Sequence, residues 1–276
     1  MSKCEVIAIA NQKGGVGKTT TTFNLGVALA NQGKKVLLID ADSQGDLTTY
    51  MGVHDTDNIP VTLSTLMMRA ITNETINSKE AIIKHKEGVD LIPSNLELAS
   101  TEVNLMNALS REYVLKNCIL ELKDNYDYIL VDCMPSLGML NINVLSCSDK
   151  VLIPIQPEFL SVKAMNHLMQ SILNVKKHIN HDLKVDGIVF TMVDARTRNT
   201  KEIINELNES YGTVFKIYNT KIPRAVKTTE SSREGESIIS FDITSKVAQS
   251  YIELAKEVLE HERKEKARNP KADKSR

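Results

Sequence analysis

The stretch "CEVIAIANQKGGVGKTTTTFNLGVALANQG", residues 4–33, constrains the fold more than any other part of the chain. An apolar run leads into a glycine-rich turn, and the turn opens a helical pattern that ends near Gly33. Strand, tight loop and helix in that order are the opening of a strand–helix–strand unit, the building block of parallel sheets. Gly14, Gly15 and Gly17 let backbone N–H groups converge on an anion without Cβ clashes, and the helix N-terminus adds partial positive charge. The general phosphate-loop pattern is glycine, four residues, then Gly-Lys-Ser/Thr. Gly17-Lys18-Thr19 closes that pattern, but Gln12 holds its first glycine position, so the strict motif fails while the physics survives. Lys18 is expected to reach a nucleotide's β- and γ-phosphates, and the Thr19 hydroxyl to ligate Mg2+.

Other short apolar runs follow: "KKVLLIDAD", "GVDLIPS", "YDYILVDC", "DKVLIPIQ", "VDGIVFTMVD" and "VFKIYNTKIP". They carry Val and Ile on both parities, as strands buried on both faces of a parallel sheet do. Helical-period segments lie between them. Ala164, Leu168, Ile172 and Val175 share one face, as do Ile203, Ile204, Leu207 and Tyr211. The expected fold is α/β: a mostly parallel twisted sheet with helices on both faces and ligands at the carboxyl ends of the strands. Residues 52–87 have weaker periodicity and are expected to be helix and loop cover. The chain is expected to form one phosphate-loop domain over residues 1–260. It closes with an amphipathic helix that turns Val247, Tyr251, Leu254, Val258 and Leu259 inward. The polar tail 261–276 is expected to fray from about residue 265.

Two strand ends carry carboxylates. In "VLLIDADSQGDLT" Asp40 is expected to face the γ-phosphate side and orient an attacking water. In "YDYILVDCMPSLG" Asp132 ends an apolar strand, a Walker B pattern, and is expected to hold Mg2+ directly or through water. Lys13, at the opening of the loop, is poorly placed to share its own nucleotide with Lys18; its spacing suggests a cation pointing outward toward a second subunit's phosphates.

Composition narrows the classes. The chain has 276 residues, 42% of them hydrophobic and 25% charged, with a net charge of -1, so nucleic acid can be held only by a local basic patch. No apolar run reaches the roughly 18 residues of a membrane-spanning helix. The N-terminus passes from "MSK" directly into the first strand, without the pattern of a secretory signal. Cys4, Cys118, Cys133 and Cys147 are scattered, so four free thiols in a reducing, cytoplasmic compartment are expected.

"KGGVGKTT" resembles the deviant Walker A loop of the ParA/MinD ATPases, in which the first lysine is the signature. The resemblance runs from Val6 to about Leu259. It implies ATP and Mg2+ as cofactors and Gly14, Gly15, Val16, Gly17, Lys18, Thr19 and Thr20 as the phosphate-binding segment. It also implies a homodimer that sandwiches two ATPs, with Lys13 crossing to the partner's phosphates. "DADSQGDLT" is similar to the family's "DxDPQGN(A/L)T" switch, which marks Asp40 as the hydrolytic aspartate. Ser43 and Asp46 replace the usual proline and asparagine of that switch, and Met134 replaces the proline of "DCPPS". "TMVDARTRNT" and "IPRAVKTTESSREGESIISFDITSKVAQSYIELAKEVL" resemble the ParA or Soj partition branch. In that branch Pro223 and Arg224 close over the adenine, with Ala225 in place of an asparagine. Basic residues in the same segments bind DNA non-specifically; here they are Arg196 and Lys227, with Arg224, Arg198, Lys221 and Lys246 near enough in sequence to join them. A chain that starts at the first strand looks like the short, Soj-like kind. The resemblance implies a nucleoid-associated partitioning ATPase, released from DNA when a ParB-type partner stimulates hydrolysis.

Other classes fit less well. A MinD-like membrane-cycling regulator needs an amphipathic tail helix, and "HERKEKARNPKADKSR" has bases but no Leu, Ile, Phe or Trp to bury, so no membrane partner is expected. An iron–sulfur carrier needs thiolate ligand spacings that the cysteines lack. A tyrosine autokinase needs a C-terminal tyrosine cluster, and the last tyrosine is Tyr251. His178 and His181 have no third metal ligand nearby in sequence and are expected at the surface.

Overall fold

The computed structural model describes residues 4–268 except Leu137, Phe159, Leu160 and Ala195. The strands are β1 Glu5–Ile9, β2 Val36–Ala41, β3 Ile83–Lys84, β4 Val89–Ile92, β5 Tyr128–Cys133, β6 Lys150–Ile155, β7 Lys184–Val193 and β8 Ile217–Pro223. They form an eight-stranded sheet in the order β3-β4-β2-β5-β1-β6-β7-β8. All its pairings are parallel except β3 with β4. β2, β5 and β6 are buried at every position, which is why their apolar residues occupy both parities. The edge strand β3 lies inside the segment expected to be helix and loop; a two-residue antiparallel strand has too little period to announce itself.

The helices are α1 Lys18–Ala30, α2 Asp46–Tyr50, α3 Leu63–Ile71, α4 Glu97–Leu105, α5 Val114–Ile119, α6 Met139–Cys147, α7 Ser161–His178, α8 Arg198–Tyr211, α9 Lys227–Arg233, α10 Ile238–Phe241 and α11 Lys246–Arg268. Two hydrophobic layers separate them. Val6, Ala8, Leu37, Ile39, Ile129 and Val131 pack with α3 to α8 on one face. Ile7, Ile9, Val36, Leu38, Tyr128 and Leu130 pack with α1, α10 and α11 on the other. α1 approaches β2 closely at Gly26, where an added Cβ would stand 2.6 Å from Leu38 Cδ2. Alanine there offers about 1 kcal/mol of helix propensity, but overpacking a buried leucine costs about 1–3 kcal/mol, so the clash decides.

The domain extends past residue 260. α11 continues to Arg268, and its last turns are held by charge rather than apolar packing. Glu265 pairs with buried Lys150 at 2.7 Å, and Glu262 accepts a hydrogen bond from the Tyr128 hydroxyl. Residues 261–268 are therefore helix, tied to the sheet through Glu262 and Glu265, and the rest of the expected tail, 269–276, lies outside the described residues. Among the described residues no helix is long and apolar enough to cross a membrane.

Candidate active site

Strand periodicity builds the floor of the site. Asp40 on β2 has the parity of Leu38, and Asp132 on β5 that of Leu130, so both carboxylates face the α1 side of the sheet. The register sets Asp40 directly beside Asp132. Both side chains are fully buried, at 0% and 1% exposure. Burial pushes Asp40 up to about 7, against the lowering effect of its hydrogen bonds from Thr48. Asp132 is pushed well above the usual carboxylate range by burial first and by the charge of Asp40 second. Two carboxylates side by side in a dry site can both ionise only when a cation joins them.

The phosphate loop closes over this floor. Gly15 and Gly17 have φ of 72° and 83°, the left-handed region that suits glycine, and Gly17 caps α1. A Cβ on Gly14 or Gly15 would meet nothing within 4 Å, so the outer face of the loop is open as a phosphate cradle must be. β6 and β7 brace it: Asn11 Nδ2 donates to the Pro154 carbonyl at 2.7 Å, and Thr191 Oγ1 donates to the Val16 carbonyl at 2.7 Å. Lys18 is buried and its ammonium lies 3.4 Å from the Lys13 carbonyl. Thr22 Oγ1 donates to Asp132 Oδ1 at 3.3 Å, and a hydrogen bond from Thr19 also favours the Asp132 anion. Asp132 Oδ2 is buried with no partner. That orphaned oxygen, next to the Thr19 hydroxyl and a second carboxylate, fits a hard divalent cation with oxygen ligands. Thr19 and Asp132 would hold Mg2+, which would neutralise the carboxylates and the phosphate charge.

Lys13 lies on the rim. Its ammonium pairs with Glu158, beyond the end of β6, at 2.5 Å, with side-chain exposures of 28% and 50%. Sequence reading singled out the lysine but not this partner.

Gly17 and Thr20 continue into a cavity of about 260 Å³ that Pro223 and Arg224 also line, together with Tyr50 and Met192. The structure thus joins the phosphate loop to the segment expected to cover the base. Met192 has φ 51°, a strained conformation for a non-glycine residue, of the kind that concentrates at functional sites. Ala225 lines the same cavity with its small side chain. Of the other departures, Met134 packs against the apolar layer under α6, and Asp46 adds a carboxylate that burial and the charge of Asp42 push up.

The expected DNA contacts are exposed, and several are already paired. Arg196 makes a fork with Asp194, both contacts at 2.9 Å, and Lys227 reaches Asp242 at 2.6 Å. The paired arginine holds Asp194 down at about 2. Arg198 pairs with Glu202, while Arg224, Lys221 and Lys246 are exposed. His178 and His181 are exposed, and Cys4, Cys118, Cys133 and Cys147 are free and buried. Burial pushes the Cys4, Cys118 and Cys147 thiols up to about 12, which disfavours thiolate ligands.

Residues 4–185 match the family model described as an AAA domain. The sporulation initiation inhibitor protein Soj of Bacillus subtilis is 42% identical over 254 residues, 92% of this chain and 98% of that protein. The chromosome partitioning protein ParA of Caulobacter vibrioides is 36% identical, over 95% of this chain and 97% of that one. Among solved structures, a protein titled cobyrinic acid a,c-diamide synthase from Mycobacterium smegmatis, with bound ATP analog and magnesium, superposes with a TM-score of 0.81 at 33% identity, covering 94% and 96% of the two chains. The chain therefore belongs to the ParA/Soj family of partitioning ATPases, within the deviant Walker A group of phosphate-loop proteins.

Proposed function

We propose that two copies of this protein close face to face over two Mg-ATP molecules, that the closed pair holds DNA without sequence preference, and that hydrolysis releases it. The chain is a Mg-dependent ATPase by family; the sandwich and the DNA cycle are our reading. The observation that carries it is the division between the two lysines. Lys18 is buried under the loop, where one lysine suffices for its own nucleotide, whereas Lys13 stands at the rim with its ammonium turned to Glu158. A rim cation that can leave a partly exposed pair is suited to a second subunit's phosphates.

In this reading Asp40 orients the attacking water, Asp132 and Thr19 hold the metal, and Pro223 and Arg224 flank the base. Lys13 supplies positive charge to the partner's triphosphate as charge builds on the transferring group. Arg196, Lys227 and Arg224 carry the DNA contact, Arg196 and Lys227 by exchanging Asp194 and Asp242 for backbone phosphates. Exposed ion pairs contribute little, so that exchange is easy. A ParB-type protein at a centromere-like site stimulates hydrolysis, and the ATP-bound pair is nucleoid-associated. The Soj and ParA names support this reading. The MinD-like reading depends on a membrane-seeking tail, and α11 spends Glu262 and Glu265 on contacts with the sheet.

Co-sedimentation with DNA in ATP, ADP and no nucleotide, repeated across salt, tests the proposal. Binding is expected in ATP alone and should fall linearly in log salt. Equal binding without nucleotide would overturn it.

A further inference from the structure

Asp40 is not a free carboxylate. Thr48, on the short helix that follows β2, gives Asp40 Oδ2 two hydrogen bonds: its backbone N–H at 2.8 Å and its hydroxyl at 2.7 Å. The direction of the hydroxyl is fixed from behind. The backbone N–H of Ser94, just past β4, donates to Thr48 Oγ1 at 2.9 Å, so the threonine's own proton is the one left to give to Asp40. The second carboxylate oxygen accepts the Asp42 N–H at 3.2 Å. Thr48 and Asp40 are both at 0% exposure, so water does not substitute for any of these donors. The chain can return over Asp40 because Gly45 turns at φ 64° under Ser94; a Cβ there would sit 3.2 Å from the Ser94 carbonyl.

We propose that Thr48 is a positioning residue for ATP hydrolysis: with Ser94 behind it, its hydroxyl aims the Asp40 carboxylate at the water that attacks the γ-phosphate. This rests on the reading of Asp40 as the group that orients that water. Thr48 bonds Asp40 and Ser94 and is not part of the lining of the base cavity. Its loss misdirects Asp40 and leaves ATP binding intact, because the phosphate loop and Lys18 are built from other elements and the base cavity takes only Tyr50 from the helix that carries Thr48.

The test is steady-state ATPase kinetics of the full chain with Mg-ATP and DNA, on Thr48→Ser, Thr48→Val and Thr48→Ala. Serine keeps the hydroxyl and loses a methyl; valine keeps the shape and loses the hydroxyl. A hydroxyl donor to a carboxylate corresponds to about 10- to 100-fold in rate. We expect kcat to fall by that factor in the valine and alanine variants, KM for ATP to stay within about twofold, and serine to recover most of kcat. Circular dichroism and KM report whether each variant is folded and binds. If valine proves unfolded, the serine–alanine pair decides on the same criterion. Valine at wild-type kcat, or serine as slow as alanine, overturns the proposal. Asp40→Asn separates the two layers. If Asp40→Asn keeps full turnover, the reading of Asp40 fails. If Asp40→Asn is slow while Thr48→Val is fast, only the role of Thr48 fails. In the Asp40→Asn background, Thr48→Val should cost nothing further.

Discussion

Lys13 Nζ lies 2.5 Å from Glu158 Oε2, so the lysine we propose reaches a partner's phosphates is already paired within its own chain. Crossing to another subunit then means leaving Glu158. An ion pair this exposed holds about 0.2–1 kcal/mol, a small toll that still shifts an equilibrium. Glu158→Gln should therefore lower the protein concentration needed for ATP-dependent pairing by about two- to fivefold, read by analytical ultracentrifugation. A higher concentration requirement would mean that Glu158 supports the closed pair instead of restraining Lys13.

The buried carboxylates make ligand-free stability depend on pH. Asp40 is raised from an ordinary value near 3.8 to about 7 by burial. An acid raised on folding adds stability that is full below its unfolded value and is lost as pH rises through its folded value. The ligand-free protein should thus carry the full cost of a buried Asp40 anion above pH 7. Asp40→Asn should melt higher than the parent at pH 8, by about 2–4 kcal/mol, with the gap closing toward pH 4. Thermal unfolding across that window checks it; an unchanged gap would show that Asp40 is not the titrating group.

At the opposite end of the sheet, Lys150 gathers Glu265 at 2.7 Å, Glu5 at 2.9 Å and Asp186 at 3.4 Å. Burial pulls its ammonium down, but the charges of Asp186 and Glu5 outweigh that and hold it above its usual value. Removing the cation strips the counter-charge from Glu5, which already has one buried oxygen without a partner, and leaves Asp186 only the Tyr218 hydroxyl and His261. Lys150→Ala should destabilise by about 3–5 kcal/mol in denaturant unfolding, and the C-terminal turns of α11 should lose hydrogen-exchange protection first.

Arg196→Ala should weaken DNA binding alike on unrelated sequences, lower the log–log salt slope by roughly one, and leave basal ATP turnover intact. A slope unchanged from the parent would remove Arg196 from the contact surface.

The centre of the sheet was legible because β2, β5 and β6 are buried on both faces, so that "YILVDC" and "VLIPI" carry apolar residues on both parities. The loop was legible because glycine spacing reports a backbone requirement directly. Three things were not. Glu158 and Ser94 act on Lys13 and Thr48 across long stretches of chain, and no local pattern marks such pairs. The end of α11 reads as solvated charge, yet Glu262 and Glu265 are spent on Tyr128 and Lys150. Arg196 and Lys227 stand out as basic, while their acidic partners Asp194 and Asp242 look like ordinary surface residues.

The most direct test is the molar mass, by light scattering, of Asp40→Ala in saturating Mg-ATP, with and without Lys13→Ala. Blocked turnover should trap a dimer in the first protein, and removing the rim lysine should return it to a monomer that still binds ATP. A monomer in the first case, or an undiminished dimer in the second, would contradict an account in which Lys13 bridges the two subunits.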